Sequence, residues 1–240
     1  MSVLAKKIIG LFAVLCVASC WSSVSSQDVE AASKASFSYV QEGQKTAYNG
    51  DSISNYFKYP KLEGTGKAVN KINSALNKEA KKHVNAYDMD EAIRLLTESA
   101  SYRTYAENYL HTVKSKVTFN KKGVFSVREK SEWYQGGVYN CNYYGDTFSL
   151  KNGKRLKVTD VVAKKYAKPG KLRKALYKKI MSKYGNEAAT KFRDNYRTNK
   201  KIKKMEFYIS SSGKVVICFD TYELLYGAAG CLKVSIPSRY

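Results

Sequence analysis

The sequence predicts an α+β fold: antiparallel sheets with helices packed on one face, arranged as two small, intimately associated modules. Three observations carry this. Apolar residues recur at spacings of three and four in two stretches, Val69 to Val84 and Leu172 to Ile180, which is the period of a helix face. Elsewhere the period drops to two, as in strands with one buried side. These strands cluster as hairpins and do not alternate with helices, which argues against a doubly wound parallel sheet. With 44% hydrophobic and 13% aromatic residues against three prolines, the composition is that of a folded core.

The chain opens with Lys6 and Lys7, then an apolar run from Ile8 to Ala18 that ends at Val17-Ala18-Ser19-Cys20. A positive segment followed by an apolar run of this length reads as a secretory signal and is too short to span a bilayer as a mature helix. The last four residues resemble the lipobox of bacterial lipoproteins, which makes Cys20 a candidate lipidation site and residues 1–19 the signal peptide. Trp21 just after the cut is a departure, so cleavage further on, after Ser26 or Ala31, is the alternative. Either way the expected location is extracytoplasmic, as a membrane-anchored lipoprotein or a freely secreted protein.

Residues 20–47 are Ser- and Ala-rich and read as a tether leading into a first strand. A module over 48–125 follows. In it Val69, Ile72, Leu76, Ala80 and Val84 form one helical stripe bordered by His83, and Asp88 or Asp90 can cap a second helical piece through Leu96. From Tyr109, residues Val113, Val117 and Phe119 alternate with Lys114, Lys116 and Thr118. Asn120-Lys121-Lys122-Gly123 then turns the chain into Phe125, Val127 and Trp133, a hairpin with one buried face.

The second module, 126–240, continues with a strand from Val138 to Leu150 after Gly136-Gly137, closed by a turn at Lys151-Asn152-Gly153-Lys154. Pro169-Gly170 introduces a helix with the stripe Leu172, Leu176 and Ile180, and Asn186 caps a shorter one reaching Tyr196. Strands are predicted around Phe207–Ile209, Val215–Phe219 and Leu232–Ile236.

Charge is the second strong signal. The net charge of +22 becomes +20 once Lys6 and Lys7 leave with the signal. From Lys151 to Lys204, 20 Lys and Arg face three acidic residues, a surplus of 17. A field of that density attracts polyanions over about 8–10 Å at physiological salt; the plainer reading is that the lysines maintain solubility. The expected contacts are Lys164, Lys165, Lys171, Arg173, Lys174, Lys178 and Lys179. Tyr134, Tyr139 and Asn140, beside the double glycine, could add stacking and hydrogen bonds to a sugar.

Trp133-Tyr134-Gln135-Gly136-Gly137, Gly145 to Leu150, Gly153 to Asp160, Phe219 to Leu224, Gly227 to Gly230 and Val234-Ser235-Ile236-Pro237 together resemble a bacterial extracytoplasmic domain family of unknown function. That family forms the outer part of the lysozyme-sensing anti-sigma-V factor and the non-catalytic front part of certain peptidoglycan deacetylases. The resemblance covers nearly the whole mature chain, with Tyr59-Pro60-Lys61-Leu62 and the helix through Ile72-Asn73 resembling a smaller preceding module. It implies a binding module and not a catalytic one. Where family members often carry Ala-His after the double glycine, this chain has Val138-Tyr139-Asn140, so no role of that imidazole carries over. A deacetylase catalytic domain is not expected after Tyr240.

Catalysis is not expected. His83 and His111 are the two histidines and each reads as structural; paired acids such as Asp88 with Asp90, or Glu129 with Glu132, usually face water. There is no nucleophile elbow, metal spacing or phosphate loop, so no cofactor or metal is expected. Beyond the signal and Cys20 remain Cys141, Cys218 and Cys231, read either as three thiols or as a Cys218–Cys231 bridge with Cys141 free.

The expected function is therefore a non-catalytic envelope or secreted protein that binds an anionic surface polymer or cell-wall glycan such as peptidoglycan, with nucleic acid bound only non-specifically. The alternative is a binder or inhibitor of a cell-wall-degrading enzyme such as lysozyme. Lysozyme is itself cationic, so the like charges of the two surfaces oppose that encounter.

Overall fold

The computed structural model describes residues 34–48, 51–86, 94, 108–135 and 139–240. The signal segment with Cys20, the second helical piece at Asp88 to Leu96 apart from Arg94, and Gly136-Gly137 lie outside these residues.

Two sheets organise the chain. Strands β1 (Phe37–Tyr48) and β2 (Asp51–Leu62) form an antiparallel pair, in register from Phe37↔Leu62 to Tyr48↔Asp51. Helix α1 (Lys67–Asn85) follows, and the chain returns as β3 (Asn108–Lys121) parallel to β2, with Ser52 opposite Asn108 and Lys58 opposite Lys114. The expected purely antiparallel pairing therefore fails at one place. A strand, crossover helix and strand reach the same sheet in the same direction, which a tight turn does not permit.

A two-residue turn joins β3 to β4 (Val124–Gln135). Lys122 and Gly123 both have positive φ, 55° and 71°, the mirror-image turn that matches the twist of paired strands. Strand β5 (Asn140–Ser149) closes the five-stranded sheet in the order β1-β2-β3-β4-β5.

The predicted α1 stripe is the one that packs. Ile72, Leu76 and Ala80 are fully buried against Phe57, Tyr59, Leu62, Val113, Phe125, Val127 and Phe148 of the sheet. Each such Ile or Leu stabilises by about 1.5–3 kcal/mol through the apolar surface it removes from water. Asn73 fastens the helix to the end of β2: its side chain accepts from the Leu62 amide at 2.8 Å and donates to the Leu62 carbonyl at 2.9 Å.

A short helix α2 (Val158–Val161) leads to α3 (Pro169–Asn195), which breaks at Gly185, where φ is 84° and ψ −177°. That break separates the two helical pieces read from the sequence. Leu172, Leu176 and Ile180 before it, and Ala188, Ala189 and Phe192 after it, are buried. They meet one face of the second sheet, β6 (Phe207–Ile209), β7 (Lys214–Phe219) and β8 (Leu232–Pro237), through Phe207, Ile209, Val215, Ile217, Phe219, Val234 and Ile236. Between α3 and β6, the short helix α4 (Asn199–Lys203) starts at Thr198, whose side chain accepts from the Lys201 amide.

The two sheets are stitched at a narrow seam. Ser126 Oγ lies 2.8 Å from Thr147 Oγ1 and accepts from the Ile209 amide at 2.9 Å, all of it buried. Beside it, Gly145 lies so close to β6 that a Cβ there would stand 2.3 Å from the Phe207 carbonyl oxygen. Residues Ala31–Tyr240 form one compact unit. The boundary expected between 125 and 126 falls inside β4, and β1 occupies Phe37–Tyr48 within the stretch read as tether.

Candidate functional site

The seven cations expected to contact a ligand fall on two elements. Lys164 and Lys165 occupy a single 3-10 turn at Lys164–Tyr166, and the other five are on α3. On a helix of 3.6 residues per turn, Lys171, Lys174 and Lys178 share the side opposite Leu172, Leu176 and Ile180, while Arg173 and Lys179 flank the buried stripe. All are exposed except the half-buried Arg173, which donates to the Arg197 carbonyl. Among the described residues none of the seven forms an ion pair. The acids of α3 are engaged elsewhere: Glu187 with Lys191, and Asp194 with Arg193 and Arg197. An open groove of about 410 Å³ runs between this helix and the edge strand β8, lined by Lys178, Lys179, Ser182, Lys183, Val234 and Ser235.

Tyr134, Tyr139 and Asn140 do not join that surface. They lie at the far end of the β4–β5 pair, and they are divided between its faces. Asn140 is paired with Trp133 on the α1 side, whereas Tyr139 donates to Glu132 at 2.5 Å on the other.

A second site escaped sequence reading. On the α1 side of the five-stranded sheet, Val127, Glu129, Ser131 and Trp133 alternate along β4, and Tyr144 and Asp146 face them from β5. Helix α1 covers the Val127 end; beyond it no other described element covers this face. There, a cleft of about 500 Å³ is bounded by Glu79, Lys82 and His83 of α1, His111 of β3, Arg155 and Glu206.

Its electrostatics are unlike the rest of the surface. Arg155 Nη2 sits 2.6 Å from Asp146 Oδ2 and 3.8 Å from Glu79 Oε1. Glu129 is 8% exposed, and its Oε1 is buried without a hydrogen-bond partner, as is Oγ of Ser115 on the residue paired with it. Burial, reinforced by the Asp146 charge, pushes the Glu129 carboxyl well above the usual range. Burial outweighs Arg155 at Asp146 and raises it to about 6. Glu206 stands at the exposed rim, and desolvation with the Asp146 charge pushes it up to about 7.

The two histidines read as separate structural residues are in fact stacked, with ring centroids 4.0 Å apart and planes 4° from parallel. His111 Nδ1 lies 3.1 Å from Asn55 Oδ1, and His83 Nε2 lies 3.1 Å from the His111 carbonyl. Both acceptors are oxygens, which assigns the proton of each ring to that nitrogen. Burial lowers both, His111 to about 4 with the His83 charge contributing, so the stack is neutral near pH 7. Among the described residues no group of three His, Cys, Asp or Glu side chains is arranged to hold a metal ion.

Of the two readings left open, the structure has Cys141, Cys218 and Cys231 as free thiols, without a Cys218–Cys231 bridge. The β7–β8 register explains this: Cys218 is opposite Lys233 and Phe219 opposite Leu232, which makes Cys218 and Cys231 diagonal neighbours. Diagonal positions lie about 7–8 Å apart at Cα, beyond ordinary disulfide geometry. They instead pack in one cluster with Tyr208, Val216 and Tyr143.

The fold and these surfaces define an α+β module with one cationic helix face and one acidic cleft. Residues 159–239 match the model of a protein family of unknown function, DUF3298. Two solved structures share the fold. One is a member of the DUF3298 family from Bacteroides fragilis NCTC 9343, 16% identical, covering 85% of this chain and 92% of its own, with a TM-score of 0.57. The other is a DUF3298 family protein from Pseudomonas aeruginosa PAO1, 10% identical, covering 85% of this chain and 90% of its own, with a TM-score of 0.51. No curated protein matches the chain in sequence. Among the described residues no helix is long and apolar enough to cross a membrane.

Proposed function

We propose that this chain is a non-catalytic binding module for an anionic polymer of the cell envelope, held through the outer face of α3. The observation that carries the reading is the set of seven cations, none of them ion-paired among the described residues, with Lys171, Lys174 and Lys178 on one side of a helix whose other side is buried. Exposed ammonium groups each contribute modestly, by about 0.2–1 kcal/mol, and are screened by salt. Affinity therefore comes from their number along a repeating phosphate or carboxylate chain. Export by the segment ending at Cys20, with lipidation of that residue, belongs to the same proposal, as does the likeness to the anti-sigma-V ectodomain and the deacetylase front modules.

The test is retention on poly(glycerol phosphate) immobilised on beads, at low and high salt. The chain should bind at 50 mM NaCl and lose at least ten-fold in affinity by about 300 mM, since screening acts on every contact at once. Replacing Lys171, Lys174 and Lys178 by Glu should abolish retention while leaving the thermal transition in place. Retention that ignores both salt and the triple substitution would refute the reading.

A further inference from the structure

The cleft between α1 and the Trp133 end of the five-stranded sheet carries a ligand chemistry opposite to that of α3. Four carboxyl groups line it, from Glu79, Glu129, Asp146 and Glu206, against one guanidinium, and Arg155 is already engaged by Asp146 and Glu79. Lys82 borders the cleft, exposed and without an ion pair. Glu129 is more than nine-tenths buried and still has a carboxyl oxygen with no hydrogen-bond partner. A buried acceptor left unsatisfied costs about 1–3 kcal/mol, so the fold retains an unmet demand for an N–H or O–H group at that point. Four residues further along β4 and on the same face, beyond Ser131, Trp133 is 37% exposed and offers a ring to the cleft.

We propose that this cleft binds a small organic ammonium ion, its N–H groups directed at Glu129 and its carbon body against Trp133. Burial and the Asp146 charge hold Glu129 toward its neutral form, and a bound cation reverses that by favouring the ionised carboxyl; a carboxylate and an aromatic face are then the two surfaces that favour a cation most when water is excluded. The volume of about 500 Å³ lies within the range of small-molecule sites and admits a one-ring body. In a chain of net charge +22, such a ligand is held by the local excess of carboxylates and not by the overall field, so this site acts independently of the polyanion surface.

The experiment uses the indole N–H resonance of Trp133 in the folded chain, titrated at fixed pH and salt with cyclohexylammonium and with cyclohexanol, which has nearly the same shape and no charge. The ammonium should shift the resonance saturably and bind at least ten-fold more tightly than the alcohol. Glu129→Gln should erase that preference, and Glu206→Gln should reduce it; the second variant stands in for the first if the first does not fold. The Lys171, Lys174 and Lys178 substitutions should leave it unchanged, which separates failure here from failure of the polyanion reading. Equal binding of amine and alcohol, no shift with either, or an undiminished preference in Glu129→Gln would each overturn the proposal.

Discussion

Gly145→Ala tests whether the seam between the two sheets is as tight as the structure makes it. The added Cβ would lie 2.3 Å from the Phe207 carbonyl oxygen, 2.7 Å from its carbon and 2.8 Å from Tyr208 Cβ. Carbon and oxygen at rest keep about 3.4 Å or more apart, so β6 must withdraw by about 1 Å. It has little freedom to do so: it is three residues long, all buried, and Cys218 and Ser126 bond it on either side, through Glu206 O at 3.0 Å and the Ile209 amide at 2.9 Å. Overpacking of this kind costs about 1–3 kcal/mol. Weakening the Ser126 bond adds about 1 kcal/mol. A loss of about 3 kcal/mol lowers the midpoint of a domain this size by roughly 6–12 °C. Thermal unfolding followed by circular dichroism reads this directly, with Gly170→Ala as control, because nothing lies within 4 Å of a Cβ there. A Gly145→Ala midpoint within about 2 °C of the parent would show that the seam is slack, against the packing cost argued here.

The remaining predictions concern protons and thiols. His111 is held near 4, below its unfolded value of 6.5, so its contribution to stability is fully present above pH 6.5 and is lost as pH falls toward 4. His111→Asn should therefore cost about 1–2 kcal/mol less at pH 5 than at pH 7.5 in urea unfolding; an equal cost at both would refute a neutral stack. Asp146 and Glu206 run the other way, raised to about 6 and about 7, so the stability they add is present at acid pH and lost as pH rises through those values. Unfolded, unreduced protein lacking residues 1–20 should release three titratable thiols, from Cys141, Cys218 and Cys231. A single thiol would show a bridge.

Periodicity made the framework legible. The stripe Ile72, Leu76, Ala80 and the stripe Leu172, Leu176, Ile180 are the buried faces of α1 and α3, because spacing alone decides which side of a helix is apolar. The hairpin at Lys122-Gly123 was equally visible, since turn chemistry is local. The parallel β2–β3 pair was not, because it depends on where a crossover returns the chain. Nor was the cleft, although a trace of it was present: Glu129 and Ser131 sit between Val127 and Trp133 on the side of β4 read as buried, and Asp146 sits between Tyr144 and Phe148. Carboxylates at inward positions of a strand are uncommon unless paired, and that anomaly was the available signal. The stacking of His83 on His111 joins residues 28 apart through tertiary packing, which no local pattern encodes.

The seam at Ser126 and Gly145 sets a limit on how this architecture can be inherited. The stretch that matches the family model, 159–239, begins only after β5, yet its own strand β6 donates a hydrogen bond to Ser126 and rests on Gly145. Transplanted alone, that stretch would carry Tyr208, Val216 and Cys218 with their cover from Tyr143 stripped away. The smallest piece that evolution can shuffle as a working part therefore reaches back at least to the β4–β5 hairpin, and changes on one side of that junction constrain which changes the other side tolerates.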